Sequence, residues 1–240
     1  KNPITSIKTL IQINTNESGH KLSKRQYQQI LGSELARLDK VIDKFLYFVN
    51  IEEPQFALHN INLILTEAIQ IILNKHHKKN IEITKDLSAT TQIALDRKKT
   101  LLVFINILEN AIQAASGTNC IINIKTIESE DNIEILISDN GKTIPKINEQ
   151  KIFLPFFSTK LNKTGLGLPI CQSIIKKHNG NISYSSDYAG TKTFTISLPK
   201  ITSVPNQELT EPQTHIKDIK WLGPKRDCCE MSEKFIASKI

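Results

Sequence analysis

Aromatic residues are scarce in this 240-residue chain, at 6%, and there is one tryptophan. They do not interleave with the basic clusters, which argues against a stacking platform for single-stranded nucleic acid. The four cysteines (Cys120, Cys171, Cys228, Cys229) show no C-x-x-C spacing and no matching histidines. Neither a zinc site nor a disulfide framework follows, and a reducing, cytoplasmic location is expected. No apolar run approaches the roughly 20 residues that span a bilayer. A signal peptide and an initiator methionine are missing too: the chain opens Lys1-Asn2-Pro3. It is expected to be a piece of a longer protein, and a membrane tether elsewhere in that protein is compatible with this reading.

What is present suits a folded protein. Hydrophobic residues make up 39%, enough to bury a core. The net charge of +7 arises within residues 1–200, because residues 201–240 carry as many acids as bases. The basic run Lys75-His76-His77-Lys78-Lys79 has two readings, a nucleic-acid patch or a solvated helix end. The second is adopted, and no nucleic-acid partner is expected.

The hydrophobic period changes along the chain. Ile4, Ile7, Leu10 and Ile11 fall at helical spacing, and a polar break from Asn14 to Gly19 follows. Leu31, Leu35, Leu38, Ile42, Phe45 and Val49 then alternate steps of four and three, which is a heptad seam that wants a partner helix. Two helices joined by a short break form an antiparallel hairpin. Such a hairpin either packs on its own chain or pairs with a second copy through residues 5–50 as a four-helix bundle; the homodimer is expected.

Glu52-Glu53-Pro54 marks a boundary. Beyond it, strands are predicted over 56–60, 81–87, 92–95, 120–127, 133–138, 181–185 and 191–198, and helices over 63–76, 98–115 and 166–178. Sequence-adjacent strands imply a mixed, mostly antiparallel sheet with helices on one face, so the fold class is α+β, a helical hairpin followed by a two-layer α/β sandwich. The expected domains are 1–53, 54–200 and an irregular extension, 201–240, interrupted by Pro205, Pro212 and Pro224 with Trp221 as its one large anchor.

Three motifs in the second region carry chemistry. On the predicted helix 98–115, Leu101, Ile105, Leu108 and Ile112 form an apolar stripe, while Asn106, Asn110 and Gln113 share another face. Asparagine is a poor helix former, and its amide oxygen is a hard neutral ligand suited to Mg²⁺ already held by phosphates. Solvent-facing asparagines are the plainer alternative. Asp139 ends the alternating run Ile133, Ile135, Ile137 and thus sits at a strand tip, where a carboxylate can accept from an exocyclic amino group. Gly141 would let the backbone approach a ring; Asp139-Asn140-Gly141 is equally an ordinary turn signal. Thr164-Gly165-Leu166-Gly167-Leu168 opens a helical stretch, where bare amides and the helix dipole favour an anion. Lys160 and Lys163 stand upstream to neutralise phosphate. The segment from Lys142 to Lys163, with its plug Phe153-Leu154-Pro155-Phe156-Phe157, reads as a lid.

With these motifs, residues 54–200 resemble the ATP-binding catalytic domain of bacterial sensor histidine kinases, within the wider GHKL group of ATPases. The family's N box is matched by Asn106-Ile107-Leu108-Glu109-Asn110-Ala111, its D-x-G turn by Asp139–Gly141, its F box by residues 152–160, and its second glycine box by Thr164–Leu168. The resemblance implies ATP and Mg²⁺ as ligands. It implies Asp139 for the adenine amino group, Asn110 with help from Asn106 for Mg²⁺, and Lys160 with the Thr164–Leu168 backbone for the phosphates. Lys1-Asn2-Pro3-Ile4-Thr5 resembles the tail of an H box, which places the phosphorylated histidine just upstream of Lys1. The likeness extends to the kinases of spore-forming bacteria.

Two positions depart from the family pattern. Thr143 stands where the second glycine of D-x-G-x-G is usual, and would be strained by about 1–3 kcal/mol if the site needs positive φ. Lys163 replaces the glycine before Thr164. Gyrase-like relatives carry a water-orienting glutamate where this chain has Asn106, so the resemblance favours phosphoryl transfer over hydrolysis, with Glu109 a possible base. The resemblance thus implies a histidine kinase core that serves a response-regulator receiver domain in a two-component system or phosphorelay. A non-catalytic dimeric module regulating a kinase or regulator is the alternative. A serine/threonine kinase of the anti-sigma type lacks the hairpin, and the seam from Leu31 to Val49 argues against it.

Overall fold

The structure, a computed structural model, describes residues 3–15, 23–77, 79–115, 119–160, 163–187 and 190–204. The expected extension, with Trp221, Cys228 and Cys229, lies outside these residues from 205 onward.

Two helices come first, α1 (Pro3–Thr15) and α2 (Lys24–Val49), and they pack on one another. Helix α1 continues through Asn14 and Thr15, where the break was expected to begin. A capping box starts α2: the Ser23 Oγ accepts from the Gln26 amide, and the Gln26 side chain accepts from the Ser23 amide. At 13 residues α1 covers only half the length of α2. The heptad seam is therefore left largely open, with Leu35 at 47% and Val49 at 59% exposure.

Strand β1 (Ala57–Asn60) leads into α3 (Ile61–Lys75), β2 (Ile81–Leu87), β3 (Gln92–Leu95) and α4 (Arg97–Ala114). Then come β4 (Cys120–Glu128), β5 (Asn132–Asp139), the single turn α5 (Lys146–Glu149), α6 (Gly167–Lys177), β6 (Asn181–Ser186) and β7 (Lys192–Pro199). The fold is the expected α+β: five strands in the order β2-β4-β5-β7-β6, with a separate antiparallel ribbon of β1 and β3. Three pairs are antiparallel: the hairpins β4–β5 and β6–β7, and β5–β7, whose strands are joined through α5, α6 and β6. The pair β2–β4 is parallel because the crossover through β3 and α4 separates them.

Strand β5 buries every second residue, so Ile133, Ile135 and Ile137 face the helices α3, α4 and α6. Phe104, Ile107 and Leu108 of α4 fill the middle of this layer. That packing turns the opposite edge of α4, with Asn106, Asn110 and Gln113, away from the core. The start of α4 is fastened by Asp96, whose Oδ1 accepts from the Lys99 amide and whose Oδ2 accepts from the Gln55 amide and the Lys99 ammonium. The linker that follows α2 and the start of α4 are thereby held together.

Candidate functional site

A cavity of about 610 Å³ opens beside the outward edge of α4. Asn106, Glu109, Asn110 and Gln113 form one wall, as their shared helical face predicts. Lys160, Thr164, Gly165, Gly167 and Leu168 form another, from the end of the lid and the start of α6. Two of the three motifs, the asparagine face and Thr164–Leu168, therefore converge on one space, although about 50 residues separate them in the chain.

Each side chain's bonding limits what it can do. The Asn106 Nδ2 donates to the Leu102 carbonyl at 3.0 Å, which leaves Oδ1 turned toward Gly167. A Cβ at Gly167 would stand 3.3 Å from that oxygen, so the glycine gives the amide its room. The Asn110 amide lines the cavity and has no partner among the described residues. Two neutral amide oxygens beside a cationic wall fit a magnesium ion that brings its own phosphates, and no group of three His, Cys, Asp or Glu among the described residues could hold a bare metal instead.

Glu109 is engaged elsewhere. Its Oε1 accepts from the Lys75 ammonium and from His76 Nε2 at 3.2 Å, and its Oε2 from the Gln113 amide at 2.9 Å. Partial burial works against its ionisation, yet the Lys75 and His76 hydrogen bonds outweigh this and hold it below the ordinary carboxylate range. A carboxylate so held is a poor proton acceptor, and it ties α4 to the C-terminal end of α3.

Asp139 and Gly141 lie behind the wall rather than in it. Asp139 is 1% exposed; its Oδ1 accepts from the Gly141 amide at 2.9 Å and pairs with the Lys192 ammonium at 2.8 Å. Its Oδ2 is buried with no partner, an orphaned acceptor of the kind a ligand satisfies. Gly141 is demanded by the protein itself: a Cβ there would stand 2.6 Å from the Ala114 carbonyl carbon, at the end of α4. Leu166 is wholly buried, and its amide turns to the Thr164 Oγ1 at 3.4 Å. The amides of Gly167 and Leu168 begin α6 and have no helical carbonyl to reach.

Gly165 has φ +68, and a Cβ would meet the Phe156 carbonyl carbon at 2.5 Å. This glycine lets the Thr164–Leu168 motif dock on the segment before it, where the Phe156 amide donates to the Gly165 carbonyl. Phe156 itself has φ 64, and its ring packs on Phe45 of α2 with centroids 5.8 Å apart. Thr143 adopts no left-handed backbone, so the anticipated strain does not arise; the non-glycine residues at positive φ are Phe156 and Asn179 among the described residues. The start of the lid is tied down instead by the Ile144 amide donating to the Tyr184 hydroxyl at 3.1 Å.

Sequence reasoning passed over several cations that the fold brings here. Lys44 of α2, Lys75 of α3, Lys142 of the lid and Lys192 of β7 join Lys160 and Lys163 in the wall, where Glu109 is the one acid. Burial, with Lys192 and Lys163 adding repulsion, pushes Lys160 down to about 8. Lys44 is lowered by burial and then by Lys163 and Lys75. Such a cluster calls for a polyanion. No sequence signal marked Lys44 or Lys192, because one lies off the heptad seam and the other merely opens a strand.

Comparisons with known proteins identify the family of the fold that carries this cavity. The family described as histidine kinase-, DNA gyrase B-, and HSP90-like ATPase matches residues 95–202. Sporulation kinase C of Bacillus subtilis is 30% identical over 201 residues, covering 83% of this chain and 46% of that protein. The sensor histidine kinase ZraS of Escherichia coli is 28% identical over 200 residues, covering 83% of this chain and 43% of its own. The chain spans less than half the length of these relatives. Among solved structures, the catalytic domain of histidine kinase ThkA is 31% identical with a TM-score of 0.57, covering 62% of this chain and 97% of that one. Histidine kinase ThkA in complex with response regulator protein TrrA is 28% identical with a TM-score of 0.66, covering 84% and 58%. With the ATPase family model over residues 95–202 and a kinase catalytic domain matched almost end to end at 31% identity, this chain belongs to the bacterial sensor histidine kinases.

Proposed function

We propose that this chain binds Mg·ATP in the cavity beside α4 and supplies the γ-phosphoryl group to a histidine preceding Lys1 in a longer chain. That phosphoryl then passes to an aspartate of a response-regulator receiver domain. The parts are a hairpin over 1–53 that pairs through residues 5–50 with a second copy, an ATP-binding domain over 54–200, and the extension 201–240.

The observation that carries this reading is the convergence of two outward asparagine amides, the bare amides of Gly167 and Leu168 and a surplus of lysines on one cavity. In this reading Asp139 Oδ2 accepts from the adenine amino group. Asn110, assisted by Asn106, holds the magnesium ion, which when bound neutralises charge on the phosphate oxygens. Lys160 and the start of α6 hold the phosphates in place. A neutral imidazole nitrogen attacks γ-phosphorus, the bond to the β–γ bridging oxygen breaks, and ADP departs. Positioning and charge neutralisation suffice for such a transfer. Asn106 and the engaged Glu109 offer no water-activating base, which supports transfer over hydrolysis. The open apolar seam of α2 supports pairing with a second copy, and the TrrA complex of ThkA supports a receiver-domain partner. Thr143 sits without strain, which removes one support for a module that does not bind nucleotide.

Calorimetric titration with Mg·ATP tests the site; an absence of heat at millimolar nucleotide sinks it. A chain extended upstream through the H box, given γ-labelled ATP, should acquire an acid-labile phosphoryl group on histidine.

A further inference from the structure

We propose that Lys192 reads the base of the nucleotide, donating an N–H to a ring acceptor, N1 of adenine, while Asp139 Oδ2 takes the neighbouring amino group. This rests on the reading of the cavity as an ATP site. A lysine at the first position of an inner strand has no need to be buried, yet the Lys192 side chain is 4% exposed and contacts a carboxylate of 1% exposure. A buried ion pair is a weak source of stability, since desolvation offsets the attraction. Its use here is in what it presents.

Lys192 has three N–H donors. One goes to Asp139 Oδ1 at 2.8 Å and one to the Lys142 carbonyl at 3.3 Å. The third has no partner among the described residues, and Lys192 lines the cavity whereas Asp139 lies behind it. Asp139 Oδ1 is filled by Lys192 and the Gly141 amide, while Oδ2 is empty. The pair therefore offers one free donor beside one free acceptor. Adenine's edge has the matching order, with N1 accepting and the 6-amino group donating. Phe194, two residues along β7 on the same face, also lines the cavity and packs edge-on against Tyr184, giving the ring an aromatic neighbour.

The test compares ATP with 1-deaza-ATP, which keeps the amino group and replaces N1 by C–H. The wild-type chain should bind the deaza compound about tenfold more weakly, as loss of a hydrogen bond to a charged donor requires. In Lys192→Met, checked for folding by its melting curve, the two compounds should bind alike. Equal binding by wild type overturns the proposal, as does a penalty that persists in Lys192→Met, since a water would then serve N1. Should Lys192→Met fail to fold, a wild-type complex with a non-hydrolysable ATP analogue decides: N1 within hydrogen-bond distance of Lys192 Nζ supports the assignment, and N1 beyond it ends it. A wild-type chain that binds neither compound removes the ATP reading itself, an outcome distinct from ATP binding without an N1 penalty.

Discussion

His178 Nε2 accepts the backbone N–H of Asp96 at 3.0 Å, joining the end of α6 to the start of α4 through a buried ring. Accepting at Nε2 fixes the proton on Nδ1, which donates to the Ile174 carbonyl at 2.8 Å. The ring is thus neutral by geometry. Burial is the main reason it is held below the ordinary histidine value; the Ile174 carbonyl and Asp96 oppose this, and Lys99 adds to it.

Acid should therefore loosen the catalytic region well before its carboxylates titrate. The unfolded chain takes up a proton on this histidine near pH 6.5, and the native state does so only at lower pH. Stability from neutral His178 is complete above about pH 6.5 and drains as the pH falls below it. Protonation also orphans the Asp96 amide, costing about 1–3 kcal/mol. Urea melts at pH 7.5 and 5.5 should show a lower midpoint in acid, and His178→Gln, which can still accept and donate, should shrink that difference. Equal midpoints for wild type at the two pH values would contradict the assignment.

Gly165→Ala is expected to separate the lid from the start of α6. The residue holds φ +68, and the added carbon would press into the Phe156 backbone at 2.5 Å. Strain of about 1–3 kcal/mol follows from the φ value alone, before the clash is counted. Affinity for Mg·ATP should fall at least tenfold. Hydrogen exchange should quicken around Phe156, while amides in β5 keep their protection.

Much of this architecture was legible from periodicity. Strands and helices of the sandwich fall within a few residues of their expected bounds, because β5 alternates cleanly and α4 carries a continuous stripe. Asn106, Asn110 and Gln113 share a face by arithmetic alone, and that face meets the cavity. Other relationships were not readable, for physical reasons. Gly141 is required by the end of α4, a tertiary contact that no local turn rule contains. The strain anticipated at Thr143 depended on a backbone angle that the lid does not adopt. Lys192 became part of the site because strand register sets it against Asp139, and pairing between distant strands is invisible in composition. Lys44 arrives from the hairpin, whose placement against the sandwich sequence pattern does not fix.

Asp139→Asn should lower both stability and nucleotide affinity. The substitution leaves the Lys192 charge buried without its counter-ion, and breaking such a pair costs about 3–5 kcal/mol. It also replaces the orphaned Oδ2 by an amide group mismatched to adenine, costing about 1–3 kcal/mol of binding. Melting curves and titrations on the same preparation separate the two losses. A variant that melts normally would show that the Lys192 pair is not closed in solution, and one that binds Mg·ATP normally would place the base elsewhere.

Lys160 gives the proposed nucleotide site its own pH signature. With a value of about 8, lowered by burial and by Lys192 and Lys163, it is partly neutral in mildly alkaline solution. A polyphosphate brought against it favours the charged form, so its value rises on binding. Binding must then take up protons in the window from about pH 8 upward, and affinity must weaken as the pH climbs through that window. Calorimetry at pH 8 in two buffers of different ionisation enthalpy should reveal proton uptake, and Lys160→Met should abolish it along with much of the affinity. Uptake that survives in Lys160→Met would assign the linkage to Lys44 instead, the other lysine of the wall lowered by its burial.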